Sequence, residues 1–124
     1  MRDKAVVAYS ALSVKNQAKF LARLGFEMTV WARGAYSSLT ADDSVSARLL
    51  SGYNELQHRI NAHLMHLLYD DERRYPDDVF VNILFDMAGP AHCEERLASA
   101  FEDLYGSYLR SLEAQSSSPD GLVW

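Results

Sequence analysis

The sequence predicts an all-α protein, an up-down bundle of three long helices and one short helix, like a four-helix bundle. Three observations carry this. Apolar residues recur at three- and four-residue spacing over long stretches, the period that lines one face of a helix. Only 6 glycines and 3 prolines punctuate 124 residues, too few turns for many short strands. The connections between periodic segments are also short, which pairs sequential helices as antiparallel neighbours.

Residues 1–12 leave two readings open. Val6, Val7, Tyr9 and Leu12 either begin the first helix or form an arm lying across a groove. Ser13 suits an N-cap, with Leu12 before it as a hydrophobic staple. From there to about Tyr36, Leu21, Leu24, Met28, Trp31 and Ala35 keep a coiled-coil-like rhythm, with Val14 and Phe20 widening the stripe. Gly25 and Gly34 interrupt it, each costing on the order of 1 kcal/mol in a helix interior. Gly25 suggests close approach by a neighbouring helix, Gly34 fraying near the end.

Ser37–Ala41 is the connection, and Thr40 with Asp43 reads as a variant capping box. The second helix runs to about Tyr69, with Leu49, Tyr53, Leu56, Ile60, Leu64 and Leu67 as its apolar row. A charged link follows, in which Arg73 and Arg74 read as members of a surface ion-pair cluster. Pro76 then suits the first position of a short helix over about Pro76–Met87. Its stripe of Val79, Phe80, Ile83, Leu84 and Met87 is broad for its length, so it is buried on more than one side or joins a subunit contact. Pro90 opens the last helix, which carries Leu97, Phe101, Leu104, Tyr108 and Leu112 to about Gln115. Residues 1–115 are expected to form one helical domain, and 116–124 a flexible C-terminal tail.

Composition bounds the function. A net charge of −5 disfavours binding to phosphate backbones, so no nucleic-acid partner is expected. No stretch nears the roughly 18 apolar residues of a membrane span. The first residues lack the long apolar run of a signal peptide, and Cys93 stands alone. A cytoplasmic protein is the expectation. Cys93 has no histidine–carboxylate partners at a telling spacing, and phosphate loops and nucleophile elbows are missing. The prominent aromatics are read as core residues, and no cofactor is expected.

The sharpest chemical signal is Glu55-Leu-Gln-His58, on a helix with three of the four histidines. That spacing puts a carboxylate and an imidazole on adjacent turns of one face. It resembles half the ligand set of ferritin-like di-iron or di-manganese bundles, with Glu27 opposite the same layer if helices one and two fold back on each other. The full set needs a Glu from two helices and Glu-x-x-His from the other two. The last helix has no such step, since His92 precedes Glu95. The wheel also opposes a core site. At about 100° per residue, His58 lies roughly 170° and Glu55 roughly 130° from the centre of the apolar row. A metal on Glu55 and His58, with Glu27 or His66, is therefore expected only where two subunits meet. The blander reading of Glu55, His58, Arg59 and His66 is a solvated polar seam. His63, at the stripe's edge, reads as a partly buried histidine with one hydrogen-bonded nitrogen. Arg33 and Arg59 are weak candidates for binding, Arg33 sitting where it favours a helix C-terminus.

A broadly apolar short helix is more than a monomer comfortably covers. A homodimer, working as a protein-interaction or binding module, is the first functional expectation. The metal-binding protein or enzyme is the alternative.

Overall fold

The structure is a computed structural model that describes residues 2–37, 44–69, 72–91 and 93–116. Among these it contains five helices and no strand: α1 (Arg2–Ser10), α2 (Val14–Ser37), α3 (Ser44–Leu68), α4 (Asp77–Ala88) and α5 (Glu94–Ser116). The protein is all-α. The Thr40–Asp43 capping box, most of the first connection, His92 and residues 117–124 lie outside the described residues.

The fifth helix corrects the expected four. Ala5, Ala8 and Tyr9 sit at i, i+3, i+4 and are fully buried, so Arg2–Ser10 is a helix with an inward face. Two alanines make a faint stripe, and two β-branched valines beside them suggest a strand or an arm. The chain leaves α1 through a turn in which the Leu12 amide donates to the Tyr9 carbonyl at 3.1 Å. Ser13 then caps α2 as expected. Its Oγ accepts from the Asn16 amide at 3.2 Å, satisfying one of the open donors of the first turn.

α2 and α3 pair as an antiparallel hairpin. Gln57 donates to Thr29 Oγ1 at 2.6 Å and to the Gly25 carbonyl at 3.4 Å. Val14, Ala18 and Ala22 lie level with Leu68, Leu67 and Leu64 at the other end. The core stripes are largely those the periodicity predicts. Leu21, Leu24 and Met28 of α2 and Tyr53, Leu56, Ile60 and Leu67 of α3 are buried.

α4 occupies the middle. Its Phe80, Val81, Leu84 and Ala88 have no exposed surface, and it packs against α1, α3 and α5. Phe80 and Leu84 of its broad stripe are buried, with α1 supplying extra cover, while Val79 is 40% exposed. Arg2 fastens α1 to α4 from outside, with an ion pair to Asp86 at 2.7 Å and its guanidinium 5.6 Å from the Phe85 ring centre. Such exposed pairs orient more than they stabilise. Pro76 is the N-cap of α4 (φ −58°, ψ 151°), one place before the position expected of it, and Asp77 and Asp78 complement the dipole in the first turn.

The last helix begins at Glu94, later than Pro90 suggests. Residues 89–91 instead form a turn, closed by the Cys93 amide on the Ala88 carbonyl at 3.1 Å. α3 abuts this turn at Gly52. A Cβ there would lie 3.0 Å from Ala91 Cα, Ala91 N and the Pro90 carbonyl oxygen. At Gly25 it would meet only Asn61 Oδ1 at 3.7 Å and Ile60 Cγ2 at 3.9 Å, an ordinary contact. The tight approach is therefore at Gly52, whereas the interruption at Gly25 is a plain helix-propensity cost. Two single substitutions should separate them in urea unfolding. Gly52→Ala should destabilise by about 1–3 kcal/mol through backbone overpacking. Gly25→Ala should stabilise by up to about 1 kcal/mol.

Candidate functional site

The residues singled out for metal binding do not converge. Glu55 and His58 are exposed on α3, on the outward side where the wheel places them. Glu27 instead lines a cleft of about 150 Å³ between α2 and α5 and pairs with Arg23 at 3.2 Å. His66 is half-buried. Among the described residues no three His, Cys, Asp or Glu side chains gather closely enough to hold a metal ion. Of the two arginines offered for binding, Arg33 is exposed. Arg59 is engaged, donating to Tyr75 Oη at 3.0 Å with its guanidinium 5.6 Å from that ring's centre. Cys93 is buried. Burial, with Glu94 nearby, pushes its thiol up to about 11, the wrong direction for a nucleophile.

A polar cluster that the sequence does not announce lies inside the molecule. His63 is 1% exposed, which corrects the expectation of a partly buried, hydrogen-bonded ring. Its imidazole stacks on Phe80 with centroids 3.7 Å apart and planes 9° off parallel. Neither ring nitrogen has a hydrogen-bond partner among the described residues. Tyr9, 6.0 Å from the same Phe80 ring between centroids, is equally buried, and its hydroxyl is likewise unpartnered there. Gln17 ties the neighbourhood together. Its amide donates to the Tyr9 carbonyl at 3.1 Å and to Asp77 Oδ2 at 3.2 Å, joining the end of α1, the start of α2 and the start of α4.

Arg74 completes the cluster and departs from its expected place on the surface. It is half-buried, and its Nη1 is buried without a partner among the described residues. Burial holds His63 neutral, down to about 4, and the charges of His66 and Arg74 push the same way. Burial also raises the Tyr9 hydroxyl above its ordinary value, with Asp77 reinforcing and Arg74 opposing. Both groups thus stay uncharged through the neutral range.

The outer side of the α2–α3 hairpin has the opposite character. A groove of about 480 Å³ runs between the first half of α2 and the last half of α3. Its floor is Val14, Ala18, Ala22, Leu64, Leu67 and Leu68, and Lys15 and Lys19 form its rim. Leu68 is 61% exposed, and other large apolar side chains on or next to the two helices are exposed too, Tyr69 to 74% and Phe26 to 71%. Met65, Val30 and Val14 are also exposed. Scattered apolar residues are ordinary on a surface, but an apolar groove with an exposed leucine in its lining is a candidate contact site.

A second uncovered apolar element is the far end of α5. Leu97 and Phe101 are fully buried, residues 104–106 are half-buried, and 109–115 are all exposed. The helix emerges from the body still carrying its stripe, so that Leu109 and Leu112 project with over two-fifths of their surface free.

No family model matches the chain, and neither a curated protein nor a solved structure is significantly similar to it.

Proposed function

We propose that this chain is a self-associating protein-interaction module, and that its contact surface is the outer face of the α2–α3 hairpin. The observation that carries this reading is the groove lined by Ala18, Ala22, Leu64 and Leu68, with Leu68 61% exposed. Folding the described residues leaves that surface in water. Covering it in an assembly removes it, at a gain on the order of 25 cal/mol per Å² of apolar area.

The groove suits a helix. Two antiparallel helices form its walls, and a third lying between them presents side chains at i, i+3 and i+7 to such a floor. No described helix is long and apolar enough to cross a membrane.

Light scattering tests the reading. The wild-type chain should give twice its 14.0 kDa at micromolar concentration. Leu68→Glu, which places a charge on the groove floor at an exposed position, should return it to the monomer with unchanged helical circular dichroism. A monomeric wild type, or a Leu68→Glu variant that still dimerises, would overturn the proposal.

A further inference from the structure

Self-association leaves the polar cluster around Phe80 without a role. Buried polar atoms in folded proteins are nearly always hydrogen-bonded, so each exception calls for a reason. Tyr9 Oη, both ring nitrogens of His63 and Arg74 Nη1 are buried with no partner among the described residues. They come from three parts of the fold: α1, α3 and the segment leading into α4. Tyr9 and His63 both flank the Phe80 ring, at 6.0 Å and 3.7 Å between centroids. The charge of Arg74 acts on both of them.

The chemistry of these atoms selects a guest. Arg74 only donates, Tyr9 can donate its hydroxyl hydrogen, and a neutral imidazole donates from one nitrogen. Three donors suit an acceptor-rich molecule. The charges that act on His63 are those of His66 and Arg74, both cationic. The acidic group that acts on Tyr9 is Asp77, which already accepts from Gln17 at 3.2 Å. A carboxylate is drawn to the field at the imidazole, water is indifferent to it, and a metal cation is repelled by it. The orphaned atoms are shut off from solvent, so the guest is small. One negative charge matches one guanidinium, whereas a phosphate dianion would carry excess charge into a site where desolvation is costly. Arg74 as a whole is only half-buried, which leaves a small guest a way in along its side chain.

We propose that this cluster is a binding site for a small monocarboxylate, with Arg74 Nη1 as the charged donor and Tyr9 Oη and one ring N–H of His63 as the neutral donors. Binding couples to a proton. A carboxylate beside the imidazole favours its charged form, and the second ring nitrogen of His63 then donates as well. None of these residues lines the α2–α3 groove, so the site and the contact surface stand or fall separately.

Formate is the probe, titrated into the full chain against sodium chloride at equal ionic strength and followed by NMR of the His63 ring. Formate should shift the ring resonances saturably in the millimolar range, and chloride should not. The His63 midpoint should rise from about 4 to about 5 or above when formate is bound. Arg74→Gln removes the charge and should weaken formate binding at least about tenfold. Tyr9→Phe removes one hydroxyl and should weaken it several-fold, and it carries the test alone if Arg74→Gln fails to fold. The site is overturned if formate and chloride act alike, which is charge screening, or if both folded variants bind formate as the wild type does. It is also overturned if the ring ignores formate but shows cross-peaks to water, which would assign the cluster to internal water. Inorganic phosphate acting as strongly as formate would overturn the choice of a singly charged guest.

Discussion

Between pH 6.5 and pH 4 the protein should lose roughly 3 kcal/mol of folding stability through His63 alone. In the folded chain this imidazole is neutral down to about 4, whereas in the unfolded chain it takes up a proton near 6.5. Across that window the unfolded state binds the extra proton, so stability rises with pH and falls as acid is added. Below about 4 both states are protonated and this group contributes no further loss. The groups whose charge reaches the ring are His66 and Arg74, and both oppose its protonation. Carboxylates titrate in the same range, so the measurement is a difference. Urea unfolding of wild type and His63→Leu should diverge progressively from pH 7 to pH 4, the variant becoming relatively more stable by about 3 kcal/mol. His63→Leu should also gain at neutral pH, because it removes two buried polar atoms that have no partner among the described residues. Parallel curves for the two proteins, or an NMR titration of His63 centred near 6.5, would contradict the burial of the ring.

That histidine also shows where the sequence was legible and where it was not. The inward row of α3 steps 53, 56, 60, 63, 67, alternating three and four residues, and Tyr53, Leu56, Ile60, His63 and Leu67 are the buried ones. A row read by hydrophobicity takes Leu64 as its member and leaves His63 at the edge. A row read by spacing puts the histidine inside, so the signal was present in the arithmetic. Gln17 carried the same signal, because 17, 21, 24 and 28 continue the inward row of α2 by spacing. Arg74 offered none: its burial follows from the packing of the segment leading into α4, a tertiary arrangement that no local pattern encodes. The same holds for α1. Its inward face is made of Ala5, Ala8 and Tyr9, which depart too little from background hydrophobicity to register as a stripe. In contrast, the outward placement of Glu55 and His58 followed from the wheel alone, because the strong apolar row opposite them fixes which way α3 turns. The uncovered surface moved as well. The short helix that seemed to need a partner has α1 as extra cover, and most of the uncovered apolar residues lie on α2, α3 and the end of α5. Individual leucines and a phenylalanine at those places look like any core residue until the packing shows that nothing in the described fold lies over them.

Phe80→Ala should produce the largest loss of stability among single truncations in this core, about 3–5 kcal/mol. Phe80 has no exposed surface, and its ring is shared. One face stacks on His63 at 3.7 Å, and Tyr9 lies 6.0 Å away between centroids, so removing it opens a cavity beside two polar side chains that have no partner among the described residues. Domains of this size are stable by only about 5–15 kcal/mol, so the alanine variant should melt far below the wild type. Phe80→Leu is the more informative change, because it keeps most of the volume and the fold while abolishing the stack. Water admitted beside the imidazole would lower the cost of charging it, since desolvation is the largest cause holding His63 down. The His63 midpoint should therefore rise from about 4 towards its ordinary 6.5, and the acid-induced loss of stability should shrink with it. The two substitutions are coupled for the same reason. In a double-mutant cycle, His63→Leu should stabilise the Phe80→Leu background less at pH 4 than it does the wild type. Were the midpoint to stay at 4 in Phe80→Leu, the Phe80 ring would not be what excludes water, and the neutral state of His63 would have to come from the charges of Arg74 and His66.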